Sequence, residues 1–401
     1  MKVAYYSPLP PSRSGIADYS SLLLPALERH LEVVQAGPGR LRRAPKADVA
    51  LYHVGNDPEA HGWIVAALGR RPGVVVLHDF VLHHLVAGLT LARGDSRAYL
   101  DALERGHGLP GRLLGYAVVD NRIPPLWETR PEEFPLTGEV LRLATGLIVH
   151  SRYVEGRARA AGFGGPVWRI AHPAWPAPDV EPAAVEGGPL FGCFGHLNEA
   201  KRIPQLLRAF DTLRGRQPEA RLLLVGAASR RLQALELPDG VLREDYVDEA
   251  RLWSLMAACD ACIGLRAPTM GETSGSAIRA LTLGKPLVVS DLGWFAELPE
   301  EVALKVPVDE HETDTLTAAL TLLTEDEAAR QAMGRAAREL AQQEHSLDRV
   351  AEQYATALEE AAGGSAARTA VVREVAQAAA EVGLHETGEV ARRLDEVGLG
   401  G

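Results

Sequence analysis

Short apolar runs rich in Val, Ile and Leu alternate along this chain with segments of helical period. Such runs suit parallel strands covered on both faces, and the stripes between them suit crossover helices. In the first half the pattern predicts strands at Val3–Tyr6, Val33–Ala36, Val49–His53, Val74–Leu77, Gly146–His150 and Trp168–Ala171. The second half repeats the grammar at Leu190–Phe194, Leu222–Val225, Ala261–Leu265, Leu287–Ser290 and Ala303–Val306.

Between the halves runs His172-Pro173-Ala174-Trp175-Pro176-Ala177-Pro178, continuing through Pro182 to Gly187-Gly188. Its prolines bar both a helix interior and a central strand, which marks a linker. The expected architecture is α/β: two Rossmann-like doubly wound parallel sheets facing across a cleft, with a C-terminal helical extension. The divisions are a first domain at 1–172, the linker at 173–188, a second domain at 189–345, a final helix at 346–362 and a tail at 363–401. Val350, Tyr354 and Leu358 give that helix one apolar stripe, which needs a surface to pack on; it is expected to return to the first domain. The tail carries a stripe at Val375, Ala379 and Val382, open to reading as two helices or as a partly disordered appendage.

With 401 residues, two compact units have enough material for separate cores. A hydrophobic fraction of 46% and a charged fraction of 24% are those of a globular protein. The net charge of −11 argues against a surface for nucleic acid, because phosphate backbones are drawn to clustered Lys and Arg. An anionic ligand would therefore need a local pocket built from a few cations and from amides at helix starts. No apolar stretch approaches 20 residues, so no transmembrane segment is expected, and the opening Met1-Lys2-Val3 lacks a charged start followed by an apolar run. The expected location is cytoplasmic. Cys193, Cys259 and Cys262 are too few for a disulfide framework and read as small buried residues.

Two segments carry chemistry. The first leaves a strand at Phe194, crosses Gly195-His196-Leu197-Asn198-Glu199-Ala200 and enters a helix at Lys201-Arg202, with its stripe at Ile203, Leu206, Leu207, Phe210 and Leu213. A cation at a helix start does not complement the helix dipole, so Lys201 is expected to face an anion bound there, a solvated surface lysine being the alternative. The second follows the strand ending at Leu265 and reads Arg266-Ala267-Pro268-Thr269-Met270-Gly271-Glu272-Thr273-Ser274-Gly275-Ser276 before a helix. Glycines admit close backbone approach, hydroxyls add donors, and the helix start presents amides; capping by Ser274 or Ser276 is compatible with all of this.

In their order, these motifs across residues 1–362 resemble the family 4 glycosyltransferases, retaining enzymes of GT-B fold. The resemblance implies that Lys201 binds the donor diphosphate together with Gly195, His196 and the Thr273-Ser274-Gly275-Ser276 helix start. His196 stands where the family has arginine, and Arg202 or Arg266 is expected to supply that charge. Glu272 corresponds to the family's first glutamate, near the donor sugar. Arg279 occupies the place of the second, at the nucleotide, before Gly284-Lys285-Pro286. Glu297 resembles a later glutamate. In the first domain, the Ser7–Tyr19 loop implies Gly15 at the diphosphate and Arg13 and Asp18 at the acceptor. His78, at the end of the Val74–Leu77 strand, corresponds to a histidine that reaches the donor sugar; His83 and His84 read as solvated or capping.

The implied activity is transfer of a hexosyl or related group from a UDP- or GDP-sugar to a glycan, lipid-linked or small-molecule acceptor. Retention of configuration, no cofactor and no metal are expected, with Lys201, Glu272 and His78 as catalytic residues. The alternative is a non-catalytic GT-B-like protein that binds sugar nucleotides or acts as a scaffold, suggested by His196 and Arg279. A Rossmann oxidoreductase is disfavoured, since neither domain's first strand leads into Gly-x-Gly-x-x-Gly.

Overall fold

The computed structural model describes residues 1–12, 14–38, 45–363, 375 and 378. Arg13, and the predicted tail stripe apart from Val375, lie outside them. The chain divides into two compact units, one of Met1–Ala171 with the chain from Val350 onward, the other of His172–Arg349.

The first unit is built on a six-stranded parallel sheet in the order β2-β1-β3-β4-β5-β6, where β1 is Lys2–Tyr6, β2 Glu32–Gln35, β3 Val49–Val54, β4 Gly73–Leu77, β5 Ala144–Val149 and β6 Val167–Arg169. β3 and β4 are buried along their whole length. That is why they appear in the sequence as near-continuous apolar runs, interrupted in β3 by His53, rather than as alternation. The edge strands β2 and β6 are only partly buried. The helix Leu347–Ala362 buries Val350, Tyr354 and Leu358, the predicted stripe. From Val350 onward it belongs to this unit, where the Tyr354 hydroxyl lies 2.7 Å from the Tyr19 hydroxyl and Trp168 Nε1 donates to Glu360 at 2.7 Å.

The second unit has its own six-stranded parallel sheet, β12-β11-β10-β7-β8-β9, with β7 at Leu190–Phe194, β8 Arg221–Val225, β9 Val241–Glu244, β10 Ala261–Gly264, β11 Leu287–Ser290 and β12 Ala303–Val306. β9 is absent from the sequence-predicted strands. It is a short edge strand in which only Val241 is buried, so its pattern gives no apolar run. Helices cover both faces. On one, Leu206, Phe210 and Leu213 meet Leu316, Leu320 and Leu323; on the other, Ile278 and Leu281 pack with Trp294 and Ala337.

Strand order reverses at one place in each sheet, beside β1 in the first unit and beside β7 in the second. Connections there leave in opposite directions and open a crevice at the carboxyl ends of the strands, where ligands of open α/β sheets bind. In the second unit the strands flanking that crevice are β7 and β10, which feed the two loops singled out from the sequence.

Candidate functional site

In the second unit the loop after β7 turns at Gly195, whose φ of +93° suits glycine. Gly226, after β8, lies so close that a Cβ on it would stand 2.2 Å from the Gly195 carbonyl oxygen. The absence of a side chain at Gly226 thus lets the two loops touch. Leu197 bridges to Ala228, Leu197 N donates to Ala227 O at 2.8 Å, and the chain then winds one 3-10 turn, Glu199–Lys201, before the helix Ile203–Arg214.

The turn brings Lys201 back over the strand end. Its side chain is buried, and Nζ donates to the Phe194 carbonyl at 2.7 Å. Burial pulls its pKa below the ordinary lysine value, and Arg266 adds to that, while Cys193 and Glu272 act in the opposite sense. A Cβ on Gly195 would lie 3.7 Å from Lys201 Nζ and 3.9 Å from Ser276 Oγ, so the lysine, the glycine turn and the second loop's helix start converge on one spot.

The loop after β10 is locked by its own polar groups. Arg266 N donates to Ser290 Oγ at 2.8 Å and Ala267 N to Ala200 O at 2.8 Å, tying the two loops together. Glu272 Oε2 accepts from Met270 N at 2.7 Å and from Thr269 Oγ1 at 3.3 Å. Arg266 Nε stands 2.9 Å from Glu272 Oε1, as an ion pair whose N–H is not aligned for a hydrogen bond. Ser274 caps the helix Gly275–Thr282 by accepting from Ala277 N at 3.3 Å, and its Oγ lies 3.1 Å from Ser276 Oγ. Thr273 Oγ1 and Asn198 Oδ1 are buried and make no hydrogen bond within the protein.

Two predicted cations take other partners. Arg202, in the left-handed region at φ +56°, forms a bidentate pair with the buried Glu312, Nε at 2.8 Å from Oε1. Its charge joins the start of helix Ile203–Arg214 to that of Glu312–Glu325, the carboxylate matching both arms of the fork. Arg279 is 9% exposed; its guanidinium carbon lies 3.5 Å from the centre of the Trp175 ring, and its Nη2 lies 3.9 Å from Glu249 Oε1. Linker residue Trp175 also meets the helix start, 3.4 Å from where a Cβ of Gly275 would be. Trp175 was not among the sequence-predicted site residues; a lone tryptophan between prolines gives no sign of what it covers. His196 is exposed at the turn.

In the first unit, Ser14 caps helix Gly15–Leu27 by accepting from Ala17 N at 3.1 Å. Nothing lies within 4 Å of where a Cβ of Gly15 would be, and Asp18 is exposed. The loop after β1, the helix Pro58–Leu68 and the turn ending at Arg93 line a cavity of about 860 Å³ walled by Pro8, Pro10, Pro58, Trp63 and Arg93. His78, at the end of β4, is buried, with Nε2 2.9 Å from His53 Nδ1. His83 departs from the solvated or capping reading. It is buried, with Nδ1 2.6 Å from Phe134 O and Nε2 2.9 Å from the Tyr99 hydroxyl, and burial lowers its pKa to about 4. His84 is exposed, as expected. Among the described residues no three His, Cys, Asp or Glu side chains gather into a group that could hold a metal ion, and no helix is long and apolar enough to cross a membrane.

Residues 179–340 match the family model for glycosyl transferases group 1. That match lies within the second unit. Among solved structures, sucrose-phosphate synthase from Thermosynechococcus elongatus superposes with a TM-score of 0.61 at 17% identity, covering 91% of this chain and 100% of that one. HepE from Anabaena in complex with UDP-glucose gives 0.61 at 16%, covering 90% and 100%. AviGT4, a glycosyltransferase involved in avilamycin A biosynthesis, gives 0.51 at 16%, covering 91% and 99%. No curated protein matches the chain in sequence. The two Rossmann-like sheets and these likenesses make the fold GT-B. The matched group 1 segment contains every second-unit residue named above except Trp175, from Gly195 and Lys201 to Glu272, Ser276 and Arg279.

Proposed function

We propose that this chain transfers a sugar from a nucleotide-diphosphate sugar to an acceptor hydroxyl, with retention of configuration and without a metal. One observation carries the reading. Lys201 is a buried ammonium whose hydrogen-bond acceptor in the protein is a neutral carbonyl, set between a glycine turn and a capped helix start. A charge out of water needs a counter-charge, and a helix N-terminus favours an anion. A diphosphate meets both demands.

In the proposed reaction the bond between sugar C1 and the diphosphate oxygen breaks, and its electron pair leaves with the diphosphate. The acceptor oxygen forms the new bond to C1, and its proton passes to the departing phosphate. Charge therefore grows where Lys201 and the amides of Gly275 and Ser276 are aimed, and donors placed at a growing charge are worth several kcal/mol. Arg266 supplies the second cation in place of Arg202, held ready by Glu272, whose carboxylate is in turn fixed by Met270 N. Thr273 Oγ1, buried without a protein partner, is a further group for the donor. His78 keeps the role of sugar contact that the resemblance implies, and the acceptor is assigned to the first unit, with the proline- and Trp63-walled cavity as its candidate pocket.

UDP-hexoses are the first donors to try, because HepE was solved with UDP-glucose. The test is transfer from a panel of UDP-, GDP- and ADP-sugars to mixed acceptors, with the product anomer read by NMR. Transfer with retained configuration, lost in Lys201→Ala, is expected. Binding of donor without turnover would favour the scaffold reading, and an inverted product would overturn retention.

A further inference from the structure

Behind His78 lies a set of buried rings that the transfer scheme does not use. His53, on β3, is fully buried, and its Nδ1 stands 2.9 Å from His78 Nε2. Around the pair are Tyr19, edge-on to His78 at 4.8 Å, and Tyr5, 4.7 Å from the His53 ring. His150, 5.3 Å from His78, has its Nδ1 2.8 Å from Ile170 O. His61 Nδ1 lies 3.1 Å from the His53 carbonyl oxygen. Asp79 is the nearest carboxylate in sequence, and its Oδ2 accepts from Asn56 N at 2.8 Å.

Two neutral imidazoles facing each other at this distance share one proton, in one of two arrangements. If His78 donated through Nε2–H, His53 would have to carry its proton on Nε2. That atom is buried and makes no hydrogen bond in the protein. A buried N–H without an acceptor is the rarer and costlier defect, whereas a bare ring nitrogen leaves only an unused lone pair. Charging His53 is no escape, since burial first, then His150 and His61, hold its pKa well below the ordinary imidazole range.

We infer that His53 is a positioning residue: it donates Nδ1–H to His78 Nε2 and thereby fixes His78 as the Nδ1–H tautomer, a hydrogen-bond donor rather than a base. Which nitrogen of an imidazole is protonated is set by the bond its other nitrogen makes. The chemical consequence rests on His78 meeting the donor sugar, as proposed above. On that footing, His78 offers an N–H to a sugar hydroxyl oxygen and takes no proton from the acceptor.

The test reads the tautomer directly. Long-range proton–nitrogen spectra of the full chain with labelled histidine, His78 being assigned by its loss in His78→Gln, should show Nδ1 protonated and Nε2 bare near neutral pH. A His78 protonated on Nε2 in the native protein overturns the inference, whatever the activity. In His53→Asn, which keeps an N–H donor at the same branch point, the tautomer and the rate should persist. In His53→Leu the fixed tautomer should be lost and kcat should fall about 10- to 100-fold, the scale on which partners that orient an imidazole act. Equal rates in the folded Leu and Asn variants would overturn it as well. Because the spectra need no substrate, failure of the tautomer and failure of the transferase reading are separable.

Discussion

Replacing Lys201 by methionine separates a ligand-binding lysine from a structural one, because the two roles move stability and affinity in opposite directions. In the ligand-free protein the ammonium is 5% exposed, bonded to Phe194 O at 2.7 Å, and its pKa is depressed mainly by burial. Exchanging a buried charge for an apolar group of similar volume is commonly neutral or stabilising by about 1–4 kcal/mol. Leaving the Phe194 carbonyl without its donor costs about 1–3 kcal/mol. The two nearly cancel, so the melting temperature of Lys201→Met should change by no more than a few degrees.

Donor binding has no such compensation. A hydrogen bond to a charged group contributes about 1.5–3 kcal/mol, so the Kd for UDP-sugar should rise about 10- to 100-fold. If charge grows on the diphosphate in the transition state, kcat should fall about 10²- to 10³-fold, as on loss of an oxyanion donor. Calorimetric titration with UDP-glucose, beside thermal melts of both proteins, makes the comparison. A bound diphosphate also favours the charged lysine, so donor affinity should weaken as pH rises through the lowered lysine pKa. A Kd unchanged within twofold, or a collapse of the melting temperature, would refute the assignment and mark Lys201 as structural.

Glu312→Gln should cost about 2 kcal/mol, less than a fully buried broken pair because Arg202 keeps some water contact, and should leave the donor Kd unchanged; chemical denaturation and the same titration check it. Arg279→Leu should lose the stack on Trp175, lowering stability by about 1–2 kcal/mol, shifting tryptophan fluorescence and altering the donor Kd less than threefold. A larger affinity loss would return Arg279 to the nucleotide. Burial lowers His61 and His83 to about 4 each, against an ordinary 6.5. The unfolded chain therefore binds more protons between those values, and stability present above pH 6.5 is lost as pH falls towards 4. Denaturation midpoints at pH 7.5, 6 and 5 should fall in that order, less steeply in His83→Gln.

Among the described residues eleven of twelve strands were legible, the central ones because parallel strands covered on both faces are apolar throughout; β9, an edge strand Val-Leu-Arg-Glu with only Val241 buried, was not. Lys201 and the Glu272 loop were legible for a related reason. A lysine at a helix start and a Gly/Ser/Thr loop before another are local patterns, and the strand order brings β7 beside β10. Side-chain partners distant in sequence were not legible. Arg202 and Lys201 are adjacent, yet with Arg202 in the left-handed region one pairs with Glu312 and the other with the Phe194 carbonyl at the strand end. The stack of Arg279 on Trp175, more than a hundred residues earlier, is another such partner. His53 closes its strand as an ordinary polar end, and its meeting with His78 depends on the pairing of β3 with β4.

The most direct measurement of donor chemistry is phosphorus NMR of the protein incubated with UDP-, GDP- and ADP-hexoses without acceptor. The expected result is slow conversion of one donor to its nucleoside diphosphate and free sugar, absent from Lys201→Met. All donors intact, with no line broadening to report binding, would contradict a nucleotide-sugar site at Lys201.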